Sequence, residues 1–406
     1  MNFKSTVGIL LWLSVLALFY TYAGYPLLVA LVSILRPRPR RKGECRPSVS
    51  VIITAYNEER DIAAKLENTL ALDYPKELLE IIVASDCSAD RTDEIVQSFA
   101  SRGVRLYRQP QRLGKTTAQN AAVERARGEV LLFSDATTMY NAGVLRAMMP
   151  NFADPTIGCV AGRLIYVDPT DSSIGRGAVS YWGYETFLKQ HESRACSLIG
   201  ASGCLYAVRR TAYLPLYPEA HGDFIIATKM VQQGLRTVFE PEAVCTEETN
   251  RRINNELNMR VRVITQTFTD LWRHRAMLNP WRSGFFAIQL ISHKVMRYSV
   301  PFLMLALFVS SLLLASSSRV YLTLLAAQIG FYLAAALAWL LDRIGARSRL
   351  LAFPQYFMIA NLAVVLAVYK LLRGERFARW EPIRESADAS NATQPTTMKA
   401  ELAETR

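Results

Sequence analysis

Three short apolar runs, at 49–54, 79–85 and 129–134, each end on polar residues. They are rich in β-branched and aliphatic residues, and stretches with helical periodicity separate them. Short continuous apolar runs of this kind are typical of parallel strands that are buried on both faces. The pattern therefore predicts an α/β domain built on a mostly parallel sheet, with further strands at 104–107 and 158–167.

Four much longer segments, 5–35, 298–318, 320–341 and 350–369, contain no charged residue. Each is about as long as the ~20 residues that an α-helix needs to cross the bilayer core. The first segment could instead be a signal peptide, but its apolar run is long and five basic residues follow within 36–42. These two features favour a retained helix with the chain from residue 36 onward in the cytoplasm.

The net charge of +12 does not indicate nucleic-acid binding, because the basic residues cluster beside the apolar segments, at 36–42, 251–297 and 370–379. This distribution suits anionic lipid head groups. The six cysteines have no CxxC spacing and are interpreted as free thiols.

The membrane topology leaves two alternatives open. Three spans after a cytosolic domain place the C-terminus outside, whereas the basic segment 370–379 favours the inside. Either one stretch lies in the interface, or Pro354 and Asn361 interrupt the last one.

These patterns divide the chain into five parts. They are an N-terminal transmembrane helix with a basic linker (1–42), a cytosolic α/β domain (43–255), interfacial amphipathic helices (256–297), C-terminal transmembrane helices (298–371) and a basic, then disordered tail (372–406).

Polar residues follow the predicted strands, with Asn57 and Glu58 after the first, Asp86 after the second and Asp135 after the fourth. An open parallel sheet binds its ligand outside the carboxyl ends of its strands. A ligand that meets these groups is expected to carry hydroxyl and phosphate groups. For each aspartate alone, a helix N-cap is the alternative interpretation.

A glycine-lysine pair begins the helix after the third strand. Gly114 and Lys115 suit a diphosphate, although a turn glycine and a solvated lysine are equally consistent with the spacing. A Walker-type P-loop is disfavoured because Gln109 stands where its first glycine belongs. Asp135 is a candidate ligand for Mg²⁺, which proteins hold with one or two carboxylates plus substrate phosphates.

Asp223, next to Gly222 at a predicted helix start, is a candidate general base. The glycine-bearing segment 200–203 would allow a bulky substrate to approach closely, with a simple tight turn as the alternative. The four histidines (191, 221, 274 and 293) show no paired metal spacing.

Taken in order, the motifs resemble those of the membrane-bound family 2 glycosyltransferases, a group that includes hyaluronan, chitin-oligosaccharide and cellulose synthases. The matching segments are PSVSVIITAYNEE (47–59), IIVASDCSADRT (81–92), RLGKTTAQN (112–120), LLFSDAT (131–137), GASGCLYAVRR (200–210), GDF (222–224) and PEA (241–243). The resemblance covers about residues 1 to 380.

The resemblance implies a Rossmann-like GT-A domain that moves a hexosyl group from a nucleotide-diphosphate sugar, usually a UDP-sugar, with Mg²⁺ or Mn²⁺. It implies an inverting reaction with Asp223 as the base and Asp135 as the metal ligand. The implied nucleotide-sugar-binding residues are Ala55, Asn57, Glu58, Asp86, Lys115 and Asp135. The implied acceptor-binding residues are Gly200, Ser202 and Gly203.

Three departures from the family pattern bear on function. Thr137 stands where many members have the second acid of the DxD motif, and Gly222 replaces the acid that often precedes the catalytic aspartate. The QxxRW motif of processive synthases has no clear counterpart, because Arg260, Arg262, Gln266 and Trp272 lie in that region with other spacings.

Three functions stay open on this reasoning. The leading one is synthesis of a β-linked polysaccharide by an enzyme of the cell membrane with its catalytic domain in the cytosol. The second is transfer of one sugar to a lipid-linked acceptor, and the third is a non-catalytic membrane protein that binds nucleotide sugar. The expected partners are the nucleotide sugar, a glycan or lipid-linked acceptor and membrane lipids, without nucleic acid.

Overall fold

The computed structural model describes residues 2–167, 173–249, 253–344, 346, 348–375 and 377. The predicted tail beyond residue 377 lies outside the described residues. Eight strands form one sheet in the order β3-β2-β1-β4-β7-β6-β8-β5. In chain order they are β1 (Val49–Ala55), β2 (Leu79–Ser85), β3 (Val104–Arg108), β4 (Val130–Asp135), β5 (Met139–Tyr140), β6 (Ile157–Val167), β7 (Tyr206–Arg209) and β8 (Arg236–Glu248).

The strand pairing is mixed but mostly parallel, as the sequence predicts. Strands β3, β2, β1 and β4 run parallel to one another, and β6 runs parallel to β8. Strand β7 is antiparallel to both of its neighbours, and the short β5 is antiparallel to β8. The three apolar runs recognised in the sequence are therefore the central strands β1, β2 and β4, with boundaries that differ by one residue at most.

Fourteen α-helices lie within the described residues. They are α1 (Phe3–Phe19), α2 (Tyr25–Leu35), α3 (Ile62–Leu70), α4 (Thr92–Ser98), α5 (Lys115–Arg125), α6 (Val144–Met148), α7 (Ser173–Ala195), α8 (Gly222–Gln232), α9 (Ile253–Arg273), α10 (Pro280–Ser283), α11 (Phe285–Leu290), α12 (Met296–Leu314), α13 (Arg319–Arg343) and α14 (Arg349–Leu372).

The sheet is covered on both faces, because alternate side chains of a strand point to opposite sides. Val51 and Ile53 of β1 pack with apolar residues of α3, α4 and α6. Ile52 lies between them and packs on the other face with residues of α5 and α8. All seven residues of β1 are buried, which explains why its sequence is a continuous apolar run rather than an alternating one.

Four helical segments among the described residues are long and apolar enough to cross a membrane. They are Phe3–Leu35, Phe285–Leu314, Arg319–Arg343 and Leu350–Leu372. Short π-helical turns, Tyr20–Gly24 and Ile291–Val295, lie within the first two. The last segment continues through Pro354 and Asn361, so these residues do not interrupt it.

The second of these segments begins earlier than its charge-free stretch, at Phe285 instead of Tyr298. The reason is a buried polar cluster between the membrane helices and α7, formed by Tyr25, Glu185, Glu192, His293 and Arg297. His293 lies 2.6 Å from Glu192 through Nδ1 and 3.2 Å from Glu185 through Nε2. Tyr25 donates to Glu192, and Arg297 pairs with Glu185. His293 and Arg297 are accommodated in this helix because both have buried acidic partners on α7.

Helix α9 occupies the first part of the region predicted to be interfacial, and it packs against α14. Val261 and Ile264 of α9 contact Ala363, Val364 and Ala367. Trp272 in the last turn of α9 and Trp281 in α10 stay exposed, Trp281 at 93%. Packing against a neighbouring helix, which sequence periodicity does not reveal, thus fixes α9 beside the α/β domain.

Candidate active site

The loops after β1 and β2 are fastened to each other by polar side chains. Asn57, in the left-handed region at φ 54°, accepts a hydrogen bond from the Ala89 amide at 2.6 Å. The Glu58 amide donates to Thr92 Oγ1 at 2.7 Å, and the Ala55 carbonyl accepts from the Asp86 amide at 2.9 Å. Ala55, Asn57 and Glu58 therefore lie together at the carboxyl edge of the sheet, as predicted.

Asp86 is buried, and its carboxylate organises the loop that leads into α5. It accepts hydrogen bonds from Gln109 Nε2 at 2.6 Å and from the amides of Leu113 and Gly114 at 2.8 and 2.9 Å. Burial raises the pKa of Asp86 above its ordinary value, against the effect of these donors. In this arrangement Asp86 supports the loop, and direct contact with a nucleotide stays a prediction.

Lys115 and Asp135 form an ion pair across the start of α5 and the end of β4. Burial lowers the pKa of Lys115, but the carboxylate of Asp135 outweighs it, so the lysine pKa lies above its ordinary value. The ammonium group thus stays charged and rests on the carboxylate that the sequence assigns to a divalent cation. Both side chains line a cavity of about 160 Å³.

Asp223 lies in the first turn of α8, on the same cavity. Its Oδ1 is 2.8 Å from Nε2 of His221. Although burial raises the pKa of Asp223, the effects of His221, Lys115 and Lys189 outweigh it and bring the pKa below its ordinary value. The carboxylate is therefore ionised at neutral pH, as a general base must be.

The segment 200–203 lies against the start of α8. A side chain on Gly203 would place its Cβ 3.2 Å from Asp223 Oδ2, and the Ala201 amide donates to the Asp223 carbonyl at 2.8 Å. Ser202 is buried and accepts a hydrogen bond from Lys189 at 2.7 Å. Of this segment, Gly203 alone lines the cavity. The two glycines allow the chain to pack closely against Asp223 and Phe224.

Sequence reasoning did not assign Arg262 and Gln266 to the site, yet both line the cavity from α9. Their spacing of four residues on one helix was the available signal, because residues at i and i+4 share a face. Burial lowers the pKa of Arg262, against the attraction of Asp135. His221, Gln119 and Tyr206 are further lining residues that were not predicted.

Glu247 near the end of β8 was also missed. The antiparallel pairing of Met139 with Thr246 brings it beside Thr137, whose hydroxyl donates to Glu247 at 3.4 Å. Burial and the nearby charge of Asp135 raise the pKa of Glu247 to about 7. A carboxylate thus lies close to Asp135 although Thr137 replaces the second acid of the motif.

Lys65 lies behind this site and is fully buried. Its ammonium group donates to the Thr138 carbonyl at 2.6 Å and lies 3.5 Å from the centre of the Tyr140 ring. Burial lowers the pKa of Lys65 to about 7. The lysine therefore supports the turn that follows Asp135.

The cavity at the carboxyl edge of a mixed, mostly parallel sheet, with its carboxylates and a lysine, defines a GT-A domain. Residues 50–214 match the family model described as Glycosyl transferase family 2. The chain therefore carries a family 2 glycosyltransferase domain.

Two curated relatives are similar to part of the chain. An N-acetylglucosaminyltransferase of Rhizobium meliloti (strain 1021) is 27% identical over 241 residues, which cover 55% of this chain and 56% of the relative. A poly-beta-1,6-N-acetyl-D-glucosamine synthase of Staphylococcus aureus (strain COL) is 24% identical over 243 residues, covering 58% and 54%. The chain thus matches just over half the length of these relatives.

A solved structure resembles nearly the whole chain. The mannosyltransferase PcManGT from Pyrobaculum calidifontis, in complex with GDP-Man and Mn²⁺, superimposes with a TM-score of 0.70 at 23% identity. The match covers 90% of this chain and 99% of that one. At this identity the likeness establishes the GT-A fold alone.

Proposed function

We propose that this chain is an inverting membrane glycosyltransferase that moves a hexosyl group from a nucleotide-diphosphate sugar to a growing polysaccharide, forming a β-linkage. The observation that carries the proposal is the meeting of Asp135, Lys115 and Asp223 around one cavity. Lys115 provides a cation for a departing diphosphate, Asp135 a carboxylate that can hold a divalent cation, and Asp223 a base for the attacking hydroxyl.

In the proposed reaction, Asp223 takes the proton of an acceptor hydroxyl while the hydroxyl oxygen bonds to the anomeric carbon. The bond from that carbon to the diphosphate oxygen breaks, and Lys115 and Arg262 stabilise the negative charge of the leaving group. Attack opposite the leaving group inverts the anomeric carbon, so an α-linked donor gives a β-linked product.

A divalent cation fits the residues present, because Asp135, Glu247 and the Thr137 hydroxyl offer the oxygen ligands that Mg²⁺ and Mn²⁺ accept. We propose that Asp135 and Glu247 hold it beside the diphosphate. When bound, the ion would supply Lewis-acid stabilisation of the leaving group. The Lys115 ammonium on Asp135 indicates that this position favours positive charge.

UDP-N-acetylglucosamine is the donor to test first, since both curated relatives are named for N-acetylglucosamine. The basic segment at 36–42 supports a cytosolic catalytic domain by the positive-inside rule. The experiment measures UDP release by detergent-solubilised full-length protein against a panel of UDP-sugars with Mg²⁺ or Mn²⁺.

The proposal expects release with one donor, and loss of at least about 100-fold in Asp135→Asn and in Asp223→Asn. Asp73→Asn is the matched control, because Asp73 is a half-exposed carboxylate that pairs with Arg146 away from the cavity. Release that survives in Asp223→Asn would refute the assignment of the base. Binding of UDP without release from any donor would favour the non-catalytic alternative.

One observation favours transfer of a single sugar to a lipid-linked acceptor as a second candidate. Trp272 of α9 does not line the cavity, unlike Arg262 and Gln266 of the same helix, so its ring does not lie against a glycan bound there. Product length separates the two: a ladder of increasing length supports a polymerase, and a single added sugar supports the alternative.

A further inference from the structure

His221 lies between the proposed base and helix α9. Its Nε2 is 2.8 Å from Asp223 Oδ1, and its Nδ1 is 3.0 Å from the hydroxyl of Thr267. The ring also stacks on Phe224, with centroids 6.2 Å apart and planes 25° from parallel. The imidazole is thus held at both nitrogens and on one face.

The hydrogen bonds assign a proton to one of these nitrogens. An ionised carboxylate only accepts hydrogen bonds, so the Nε2 that faces Asp223 carries hydrogen. At the other nitrogen, the Thr267 hydroxyl can point to Nδ1, or it can point to the Val263 carbonyl at 2.8 Å and accept from Nδ1. Rotation of one hydroxyl therefore suits both the neutral and the charged ring without moving any heavier atom.

The main chain of His221 is fixed as well. Its amide donates to Asp270 Oδ2 at 3.1 Å, and Tyr217 donates to the other oxygen of Asp270. Asp270 is fully buried in α9. Helix α9 thereby sets both the backbone and the ring of the residue that holds Asp223.

The hydrogen bond from His221 occupies one oxygen of Asp223 and leaves the other for chemistry. Oδ2 faces Gly203, which lines the cavity and has no side chain to cover this oxygen. The charged or titratable groups that surround the pair are Lys115 from α5, Asp135 from β4, Lys189 from α7, Tyr206 from β7, and Asp270 and Arg262 from α9.

From this geometry we infer that His221, held by Thr267, is a positioning residue that donates a hydrogen bond to Oδ1 of Asp223 and so aims Oδ2 at the acceptor hydroxyl. This role deepens the proposed function and rests on it. Gly222, the residue directly before Asp223, has no side chain that could support the base. His221, one position earlier, provides this support in the present chain.

The kinetic test compares pH profiles of UDP release for the wild type, His221→Gln, Thr267→Val and Thr267→Ser. Glutamine keeps an N–H donor but cannot become charged, so the acid limb of kcat should move to higher pH, with KM for the donor within twofold. Thr267→Val should lower kcat several-fold, and Thr267→Ser, which keeps the hydroxyl, should restore it.

His191→Gln is the matched control, because this histidine lies outside the cavity and contacts Ser33. It should leave the profile unchanged. An acid limb in His221→Gln at the wild-type pH, with a rate lowered equally at every pH, would mean that His221 has only a structural role and would overturn the inference.

A second measurement does not depend on turnover. Diethyl pyrocarbonate modifies unprotonated, accessible imidazole nitrogens, and peptide mass spectrometry gives a rate for each histidine. His221 should react several-fold faster in Asp223→Ala than in the wild type, with His274 as the internal reference. Equal modification rates of His221 in the two proteins would overturn the inference. If the rate increases but the wild type releases UDP from no donor, the contact between His221 and Asp223 is supported while the proposed function fails.

Discussion

Replacement of Lys65 by methionine should stabilise the protein at neutral pH. Lys65 is fully buried and its pKa is lowered from 10.5 to about 7. The folded state therefore binds this proton more weakly than the unfolded state does. The difference between the two pKa values corresponds to a cost of about 4 kcal/mol at pH 7, which is an upper bound on the gain.

The pH dependence of stability separately tests whether the buried charge of Lys65 destabilises the folded state. Below pH 7 the lysine is charged in both states, and the full cost is present. Between pH 7 and pH 10.5 the unfolded state holds more protons, so the stability of the wild type rises with pH and approaches that of Lys65→Met. Methionine has similar length and no charge, so the packing around Tyr140 should be kept.

Melting temperatures of detergent-solubilised protein between pH 6 and pH 10 provide the assay. Lys65→Met should melt higher than the wild type at pH 6 to 7, and the difference should shrink towards pH 10. The variant should also lose activity, because the bond from Lys65 to the Thr138 carbonyl supports the turn after Asp135. A variant that melts below the wild type at every pH would refute the reasoning.

Three further changes test other contacts. Gly203→Ala should lower kcat about 10- to 100-fold with KM for the donor unchanged, because its Cβ would lie 3.2 Å from Asp223 Oδ2, as measured by steady-state UDP release. Glu247→Gln should raise the Mn²⁺ concentration for half-maximal UDP release by about 10-fold, as a Mn²⁺ titration will measure. His293→Ala should lower stability by about 3–5 kcal/mol, seen as a lower melting temperature, because it leaves Glu192 buried without this partner.

Matched controls exist for these changes. A side chain on Gly183 of α7 would meet nothing within 4 Å, so Gly183→Ala should leave kcat unchanged. Glu242 is an exposed acid on the same strand as Glu247, and Glu242→Gln should not alter the Mn²⁺ requirement. Wild-type kinetics in Gly203→Ala, or a wild-type melting temperature in His293→Ala, would contradict the corresponding contact.

The central sheet was predictable because its strands are buried on both faces and so have unbroken apolar sequences. The same holds for Asp135 and Lys115, since the ends of neighbouring parallel strands meet at one edge. Glu247 could not be found this way, because only the pairing of Met139 with Thr246 brings it there. His221 carries no spacing signal, since its partner Thr267 lies on a helix 46 residues further along the chain.

The sequence also did not show whether a side chain points into the cavity or into the protein interior. Ser202 was expected at the acceptor, yet it faces the buried ammonium of Lys189. Charge-free length also misplaced the start of one membrane segment, because His293 and Arg297 are neutralised by acids of α7, which precede them by about 100 residues.

That separation has a consequence for how the protein is made. Helix α7 leaves the ribosome before the helix that carries His293 exists, so Glu185 and Glu192 have no such partners while the α/β domain first forms. Both acids gain His293, and Glu185 also gains Arg297, only when the segment from Phe285 is in place. Placement of that segment is therefore also a folding step for helix α7, and a chain ending at Gly284 would leave both acids without His293 and Arg297.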